Sequence, residues 1–141
     1  MQLQPYLFFD GRCEEALDFY KKALGAEVTM LMRFKDCPEP PPPGRMPPGS
    51  ENKVMHAHVR IGDAEFMASD GHCQGAPSFK GFSLSLTLPD EAKANKTFAA
   101  LAQQGRVDLP IGKSFWSPCF GMVADRFGVQ WMITVPQPAQ A

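Results

Sequence analysis

The stretch LQPYLFFDGRCEEALDFYKKALG, residues 3–25, decides the fold. Residues 3–9 are apolar and aromatic, which predicts a buried strand. Asp10 is a candidate N-cap, and Gly25 stands where a C′ glycine belongs. Between them the apolar residues recur at helical spacing, at Cys13, Ala16, Leu17, Tyr20, Ala23 and Leu24. The stretch therefore predicts a strand, a short connection and an amphipathic helix.

The remainder of the first half predicts three more strands. Gly62-Asp63 is a two-residue turn motif between two apolar segments and predicts a hairpin. The predicted strands are residues 26–34, 54–61 and 64–69.

The second half repeats this plan. Asp90 and Gly105 each stand 80 positions after Asp10 and Gly25, and they are expected to cap and to end a helix that runs to about Gln104. Predicted strands occupy residues 82–88, 107–111, 119–124 and 129–135. The order strand–helix–strand–strand–strand thus occurs twice, which indicates an internal duplication. We predict an α+β domain of residues 1–141 with modules of about 1–70 and 80–136, whose sheets curve around a cavity.

A proline-rich insertion, residues 35–53, interrupts the first module. Its prolines, at 38, 40–43, 47 and 48, disfavour both helix and sheet. Such a long loop can be a surface insertion, a lid over the cavity or a proline-rich ligand for a partner domain, and these alternatives remain open.

Composition narrows the class of protein. The net charge is -1 with 21% charged residues, which argues against nucleic acid or an anionic membrane as partner. No apolar run reaches the length of a membrane span, and no basic segment followed by an apolar stretch opens the chain. We expect a cytoplasmic protein with reduced thiols, since the four cysteines, Cys13, Cys37, Cys73 and Cys119, form no CxxC pair.

Several motifs point together to one family. They are PYLFFDG (5–11), ALDFY (16–20), VMHAH (54–58), MASD (67–70), FW (115–116), FGM (120–122), DRFGV (125–129) and WM (131–132). The chain resembles the PhnB-like branch of the vicinal-oxygen-chelate (glyoxalase/bleomycin-resistance/dioxygenase) superfamily, also labelled 3-demethylubiquinone-9 3-methyltransferase-like. The resemblance implies paired βαβββ modules in a cup-shaped, curved mixed sheet, a cavity for a small organic molecule, and a homodimer.

The resemblance also implies that the usual metal site is absent. It places Pro5, Ser83 and Met132 at strand positions where metal-dependent members carry His, Gln or Glu, and a fourth position near Met67 or Ser69. Proline and methionine offer no hard ligand. We therefore expect no cofactor, and we take Ser83 and Met132 as residues that line the cavity.

His56 and His58 provide the main alternative. Residues two apart on a strand share a face, so the pair can act as a catalytic base or hold a divalent metal with Asp70 or His72. The same pair can instead line a polar wall or a dimer seam. An enzyme of the lyase, transferase or dioxygenase type thus remains the alternative to a binding protein.

Two aromatic residues complete the candidate site. Trp116 and Phe120 either pack in the core or, with Asp70, line the cavity for a flat ligand. The sequence contains no nucleophile elbow, phosphate loop or glycine-rich loop after a strand. Whether the protein is an enzyme therefore stays open.

Overall fold

A computed structural model describes residues 1–38, 47–71, 73 and 77–137. The chain divides into two compact units, Met1–Pro77 and Ser78–Ala141. The division falls between the two predicted modules, while the assignment of the whole chain to one domain stays a prediction. Neither helix within the described ranges has the length and apolarity to cross a membrane.

The first unit is a βαβββ module. Its elements are β1 (Tyr6–Phe8), α1 (Cys13–Leu24), β2 (Glu27–Arg33), β3 (Val54–Ile61) and β4 (Ala64–Ser69). The sheet order is β1-β4-β3-β2, with β1 parallel to β4 and the other pairs antiparallel. One face of the sheet and the apolar face of α1 contribute the fully buried residues Leu7, Ala57, Val59, Ala68, Ala16, Leu17 and Tyr20.

The start of α1 differs from the prediction. Asp10 is not its N-cap; the helix begins after Arg12, which makes no side-chain capping bond. Asp70, at the end of β4, takes this role from a distant part of the chain. Its Oδ1 accepts the backbone N–H of Gly11 at 2.9 Å and of Cys13 at 2.7 Å. Its Oδ2 accepts the N–H of Val54 at 2.7 Å, so one carboxylate joins the beginnings of α1 and β3.

The second unit repeats the same order. Its elements are β5 (Leu84–Thr87), α2 (Glu91–Ala102), β6 (Arg106–Gly112), β7 (Cys119–Ala124) and β8 (Gln130–Val135). The sheet order β5-β8-β7-β6, with β5 parallel to β8, matches that of the first unit element by element. The predicted α+β class with two βαβββ modules is confirmed.

The ends of α2 test the predicted caps. Asp90 caps the helix as expected, since its Oδ1 accepts the N–H of Lys93 at 2.8 Å. Gly105 does not end it as a left-handed C′ residue, because Gln104 holds the positive φ of 59°. Gly105 is required for space instead: a Cβ there would lie 2.3 Å from the carbonyl oxygen of Ala124.

A second buried carboxylate organises the turn between β7 and β8. Asp125 is 3% exposed, and its Oδ1 accepts the backbone N–H groups of Phe127 and Val129. Its Oδ2 accepts the indole N–H of Trp131 at 2.9 Å. These bonds fix the turn against the core of the second unit.

The proline-rich insertion is described only in part. Two short 3-10 turns lie at its two ends, at Phe34–Asp36 and Ser50–Asn52. Residues 39–46 lie outside the described residues, as does His72. The alternatives for the role of this loop therefore remain predictions.

Candidate ligand-binding face

The first sheet has one face packed on α1 and a second face turned away from it. Directly opposite residues point to the same side of a sheet, so the register identifies the members of this second face. The pairs near the histidines are Tyr6–Met67, Phe8–Ser69, Met67–His58, His58–Met30 and His56–Met32, and the charged pairs Arg60–Glu65 and Arg60–Glu27 continue the same side towards the end of β3. We call this surface the histidine face and define it by Tyr6, Phe8, Met30, Met32, His56, His58, Met67 and Ser69.

Three side chains of the histidine face form a hydrogen-bonded chain. The Tyr6 hydroxyl lies 2.8 Å from Nδ1 of His56, and Nε2 of His56 lies 2.9 Å from Nε2 of His58. The two imidazole rings meet edge to face, with centroids 4.7 Å apart. Only one proton fits between the two Nε2 atoms, so the tautomer of one ring determines that of the other.

Burial and a neighbouring imidazole shift pKa values within this hydrogen-bonded chain. Burial lowers the pKa of His56, and the nearby His58 lowers it further. Burial also raises the pKa of Tyr6. Both shifts favour the neutral forms, as expected for groups with restricted access to water.

Apolar side chains lie next to the hydrogen-bonded chain of Tyr6, His56 and His58. Phe8 stacks on Tyr6 with ring centroids 4.9 Å apart and is 54% exposed. Met30 and Met32 stand opposite the two histidines on β2, and Met67 stands between Tyr6 and His58. The histidine face therefore places Tyr6, His56 and His58 beside Phe8 and three methionines, and such a mixture of a few polar groups with apolar side chains is common in small-molecule sites.

Tyr6 and Phe8 were not singled out from the sequence. Residues 5–9 are all apolar or aromatic, so the alternation that separates the two faces of β1 is hidden. The structure shows the alternation, because Leu7 is 2% exposed whereas Tyr6 is 37% and Phe8 is 54% exposed. Only the pairing of β1 with β4 shows that these two rings lie beside the histidines.

The residues predicted at the glyoxalase-type ligand positions, which are Pro5, Ser83, Met132 and Met67 or Ser69, offer no carboxylate or imidazole to a divalent metal, and the absence of that site stays a prediction. The register places Tyr6 opposite Met67 in the first unit and Ser85 opposite Met132 in the second. Pro5 instead accepts the N–H of Met67 through its carbonyl, and Ser83 precedes β5. A phenol, a hydroxyl and two thioethers are poor ligands for a hard or borderline ion.

The structure does not bring the alternative ligand set together among the residues that it describes, which exclude His72. Within the described ranges, no three His, Cys, Asp or Glu side chains are grouped so that they could hold a metal ion. Asp70 is 1% exposed, and both of its oxygens already accept backbone N–H groups. Its contacts favour a structural role, and its proposed part in ligand or metal binding stays a prediction.

The aromatic candidates lie in the second unit. Trp116, in the β6–β7 connection, is 48% exposed, and Phe120 on β7 is buried. Their rings meet edge to face at 5.1 Å, and Phe115 packs on Trp116 at 4.6 Å. Met132 pairs with Met122 and Ser85 across the second sheet. Trp116 thus combines a packed edge with an accessible surface.

The first unit also has a charged surface cleft of about 640 Å³ near the start of α1. Its basic groups have partners within the cleft: Arg33 bonds Glu14, Arg12 bonds Glu15, and Lys53 donates to the carbonyl of Gly11. Surface pairs of this kind contribute little to stability, and both arginines of the cleft are already paired with carboxylates. Asp70 is the one predicted site residue that lines this cleft, so we favour the histidine face as the site.

The duplicated βαβββ order defines the chain as a protein of the vicinal-oxygen-chelate superfamily. Within it, the chain belongs to the PhnB-like family described as 3-demethylubiquinone-9 3-methyltransferase, whose model matches residues 1–134. The protein YjdN of Escherichia coli K12 is 36% identical over 99% of this chain and 100% of its own length.

Solved structures agree with this assignment. PA1353 from Pseudomonas aeruginosa is 40% identical, with a TM-score of 0.84 over 98% of this chain and 99% of its own. A Bacillus cereus PhnB protein, described as a putative 3-demethylubiquinone-9 3-methyltransferase, is 28% identical, with a TM-score of 0.78 over 96% of this chain and 99% of its own. A glyoxalase-related enzyme from Fulvimarina pelagi is 15% identical, with a TM-score of 0.60 over 100% of this chain and 94% of its own, and shares the fold.

Proposed function

We propose that this protein binds a small organic molecule at the histidine face, without a metal of the glyoxalase type. One observation carries the proposal: the hydrogen-bonded chain Tyr6–His56–His58 lies among Phe8 and three methionines on a sheet face turned away from its helix. The polar chain would orient the ligand, and the apolar residues would hold its body.

The side chains around the histidines suit such a role. Methionine is unbranched and polarizable, so Met30, Met32 and Met67 can adapt to an irregular organic molecule. Phe8 provides a flat surface beside the phenol of Tyr6. Ring stacking of this kind adds about 0.5–1.5 kcal/mol beyond the burial of area. We therefore expect a ligand with an aromatic or otherwise flat part.

Methyl transfer, which the family description names, is not part of the proposal. The sequence has no glycine-rich loop after a strand of the kind that would hold S-adenosylmethionine.

A thermal-shift screen with small aromatic and metabolite-like compounds tests the proposal. A true ligand should raise the melting temperature progressively with its concentration, as mass action requires. For a compound that binds, Phe8→Ala should weaken the affinity about tenfold, equivalent to about 1.4 kcal/mol. Phe82→Ala is the matched control, because Phe82 is also a phenylalanine and is 44% exposed but lies in the second unit. Equal affinity losses in both variants, or no response to any compound, would contradict the proposal.

A second candidate function is acid–base catalysis by the same histidines. The observation that favours it is the imidazole pair itself, whose linked tautomers can deliver or accept a proton at neutral pH. Such an enzyme would be of the lyase, transferase or dioxygenase type. A divalent metal on His56 and His58 is its cofactor alternative and would need a further ligand from the substrate. Elemental analysis of tag-free protein checks this alternative, since a stoichiometric metal would favour it over metal-free binding.

We also propose that the protein is a cytoplasmic homodimer. The strand β6 lies at the edge of the second sheet and is exposed along most of its length, and such edges are usually covered. Light scattering at micromolar concentration should give twice the mass of the chain. A monomer under these conditions would contradict the dimer.

A further inference from the structure

The hydrogen-bonded chain Tyr6–His56–His58 has two neutral arrangements of its protons. They differ in whether Nδ1 of His58 carries a hydrogen. In the first, Tyr6 donates to Nδ1 of His56, Nε2 of His56 donates to His58, and Nδ1 of His58 carries a proton. In the second, every donor is reversed, and Nδ1 of His58 is an unprotonated base. No hydrogen bond from another described residue reaches Nδ1 of His58, so this atom is the end that a ligand can meet.

The chain can accept one proton without losing a hydrogen bond. Starting from the second arrangement, a proton added at Nδ1 makes His58 an imidazolium, which still donates through Nε2 to His56. His56 in turn donates through Nδ1 to the Tyr6 oxygen. A second added proton would place hydrogens on both Nε2 atoms, 2.9 Å apart, and would break the contact. The pair is therefore built to hold one positive charge.

The charged side chains of this sheet that lie nearest to His58 have other partners. On β3, Arg60 bonds Glu27 of β2, and on β4, Glu65 accepts a bond from Gln4, in the residues that precede β1. The residues directly opposite His58 are Met67 and Met30, which are neutral. Neither residue directly opposite His58 is a carboxylate, and Glu27 and Glu65, one pair further along the same side of the sheet, are bonded to Arg60 and Gln4. An anionic ligand can therefore supply the counter-charge.

From this arrangement we propose that the bound molecule is a weak acid, such as a phenol, an enol or a carboxylic acid, and that it binds as its anion against a His58 imidazolium. The ligand O–H bond breaks, its electron pair stays on the ligand oxygen, and its proton forms the new N–H bond at Nδ1 of His58. His56 and Tyr6 are positioning residues, because they hold His58 in the arrangement that accepts the proton. The lowered pKa of His56 agrees with a proton that resides on His58. This inference rests on the proposed function of the histidine face.

The test compares 4-nitrophenol with nitrobenzene on the full-length protein. The two probes have nearly the same shape, but only the phenol can ionise, and its anion absorbs visible light. At a pH where free 4-nitrophenol is mostly neutral, binding should produce the absorption band of the anion in proportion to the bound fraction. A charge-assisted hydrogen bond should also make 4-nitrophenol bind at least about tenfold more tightly than nitrobenzene.

Two substitutions test which side chains produce the anion band. His58→Gln should abolish the anion band and lower the affinity for 4-nitrophenol to that for nitrobenzene, while the far-ultraviolet circular dichroism spectrum and the melting temperature check that the variant is folded. Tyr6→Phe should give an intermediate anion fraction. Equal binding of both probes to the wild type with no anion band would overturn this inference but leave the proposed function intact. If neither probe binds, both the proposed function for flat ligands and this inference fail.

Discussion

The two units begin their helices with carboxylates that come from different places. In the second unit, Asp90 caps α2 from the adjacent residue, through a bond to Lys93 three positions away. In the first unit, the matching Asp10 does not cap α1, and Asp70 binds the backbone of Gly11 and Cys13 from the end of β4. The repeated sequence motif thus predicts the order of the elements, whereas the contact that stabilises each helix has to be read from the fold.

The glycines that follow the two helices differ in the same way. Gly25 takes the left-handed conformation with φ 67° and donates its N–H to the carbonyl of Tyr20. Gly105 has no such φ, and it is needed because the backbone of Ala124 passes too close for a Cβ. The two positions carry the same residue type for reasons of backbone conformation in one case and of packing in the other.

Replacing Asp70 or Asp90 should have the largest effect on the free energy of unfolding. The two losses should show most clearly how the two units differ. Asp70→Ala leaves three backbone N–H groups without their acceptor, and two of these groups belong to the buried residues Cys13 and Val54. The substitution should therefore lower the free energy of unfolding by at least about 3 kcal/mol. Asp90→Ala removes one exposed cap and should cost about 1 kcal/mol. Urea unfolding measures both, with the exposed turn residue varied in Asp63→Ala as control. Equal losses for Asp70→Ala and Asp90→Ala would show that the two helix starts are equivalent after all.

Substitutions of the two glycines should have the next largest effect on stability. Gly105→Ala should cost about 2 kcal/mol, because the added methyl meets a backbone oxygen and the strand has to move. Gly25→Ala should cost about 1 kcal/mol from left-handed strain alone. Asparagine distinguishes the causes: Gly25→Asn should recover stability, since asparagine tolerates that conformation, and Gly105→Asn should not. Recovery at both positions in thermal unfolding would contradict the packing explanation.

The smallest effect concerns pH and is confined to the first unit, because residues 78–141 contain no histidine. Burial lowers the pKa of His56, so the unfolded chain binds a proton before the folded one as the pH falls. The folded state should therefore lose stability as the pH falls below the ordinary histidine pKa of about 6.5. Between pH 7.5 and 5.5, the melting temperature of His56→Gln should fall by about 1–2 °C less than that of the wild type. Identical pH profiles would mean that His56 titrates alike in both states.

Much of the fold follows from local patterns. The strands β3, β4 and β7 have the predicted bounds, and Asp90 caps α2 as predicted, because alternation and capping depend on residues close in sequence. The pairing of His56 with His58 on one face was likewise readable from their spacing. The role of Asp70 and the place of Tyr6 beside His56 were not, because both depend on the pairing of segments more than 45 residues apart.

The contacts of Asp70 also set an order of events during synthesis and folding. The cap of α2 joins residues three positions apart, so that helix can close its first turn as soon as its own segment is available. The first turn of α1 waits for a residue 57 positions later, which only arrives once the hairpin of β3 and β4 has been made. The start of α1 is therefore secured only after 57 further residues have been made, whereas the cap of α2 depends on no later segment, and nascent chains that end before residue 70 lack the group that secures α1.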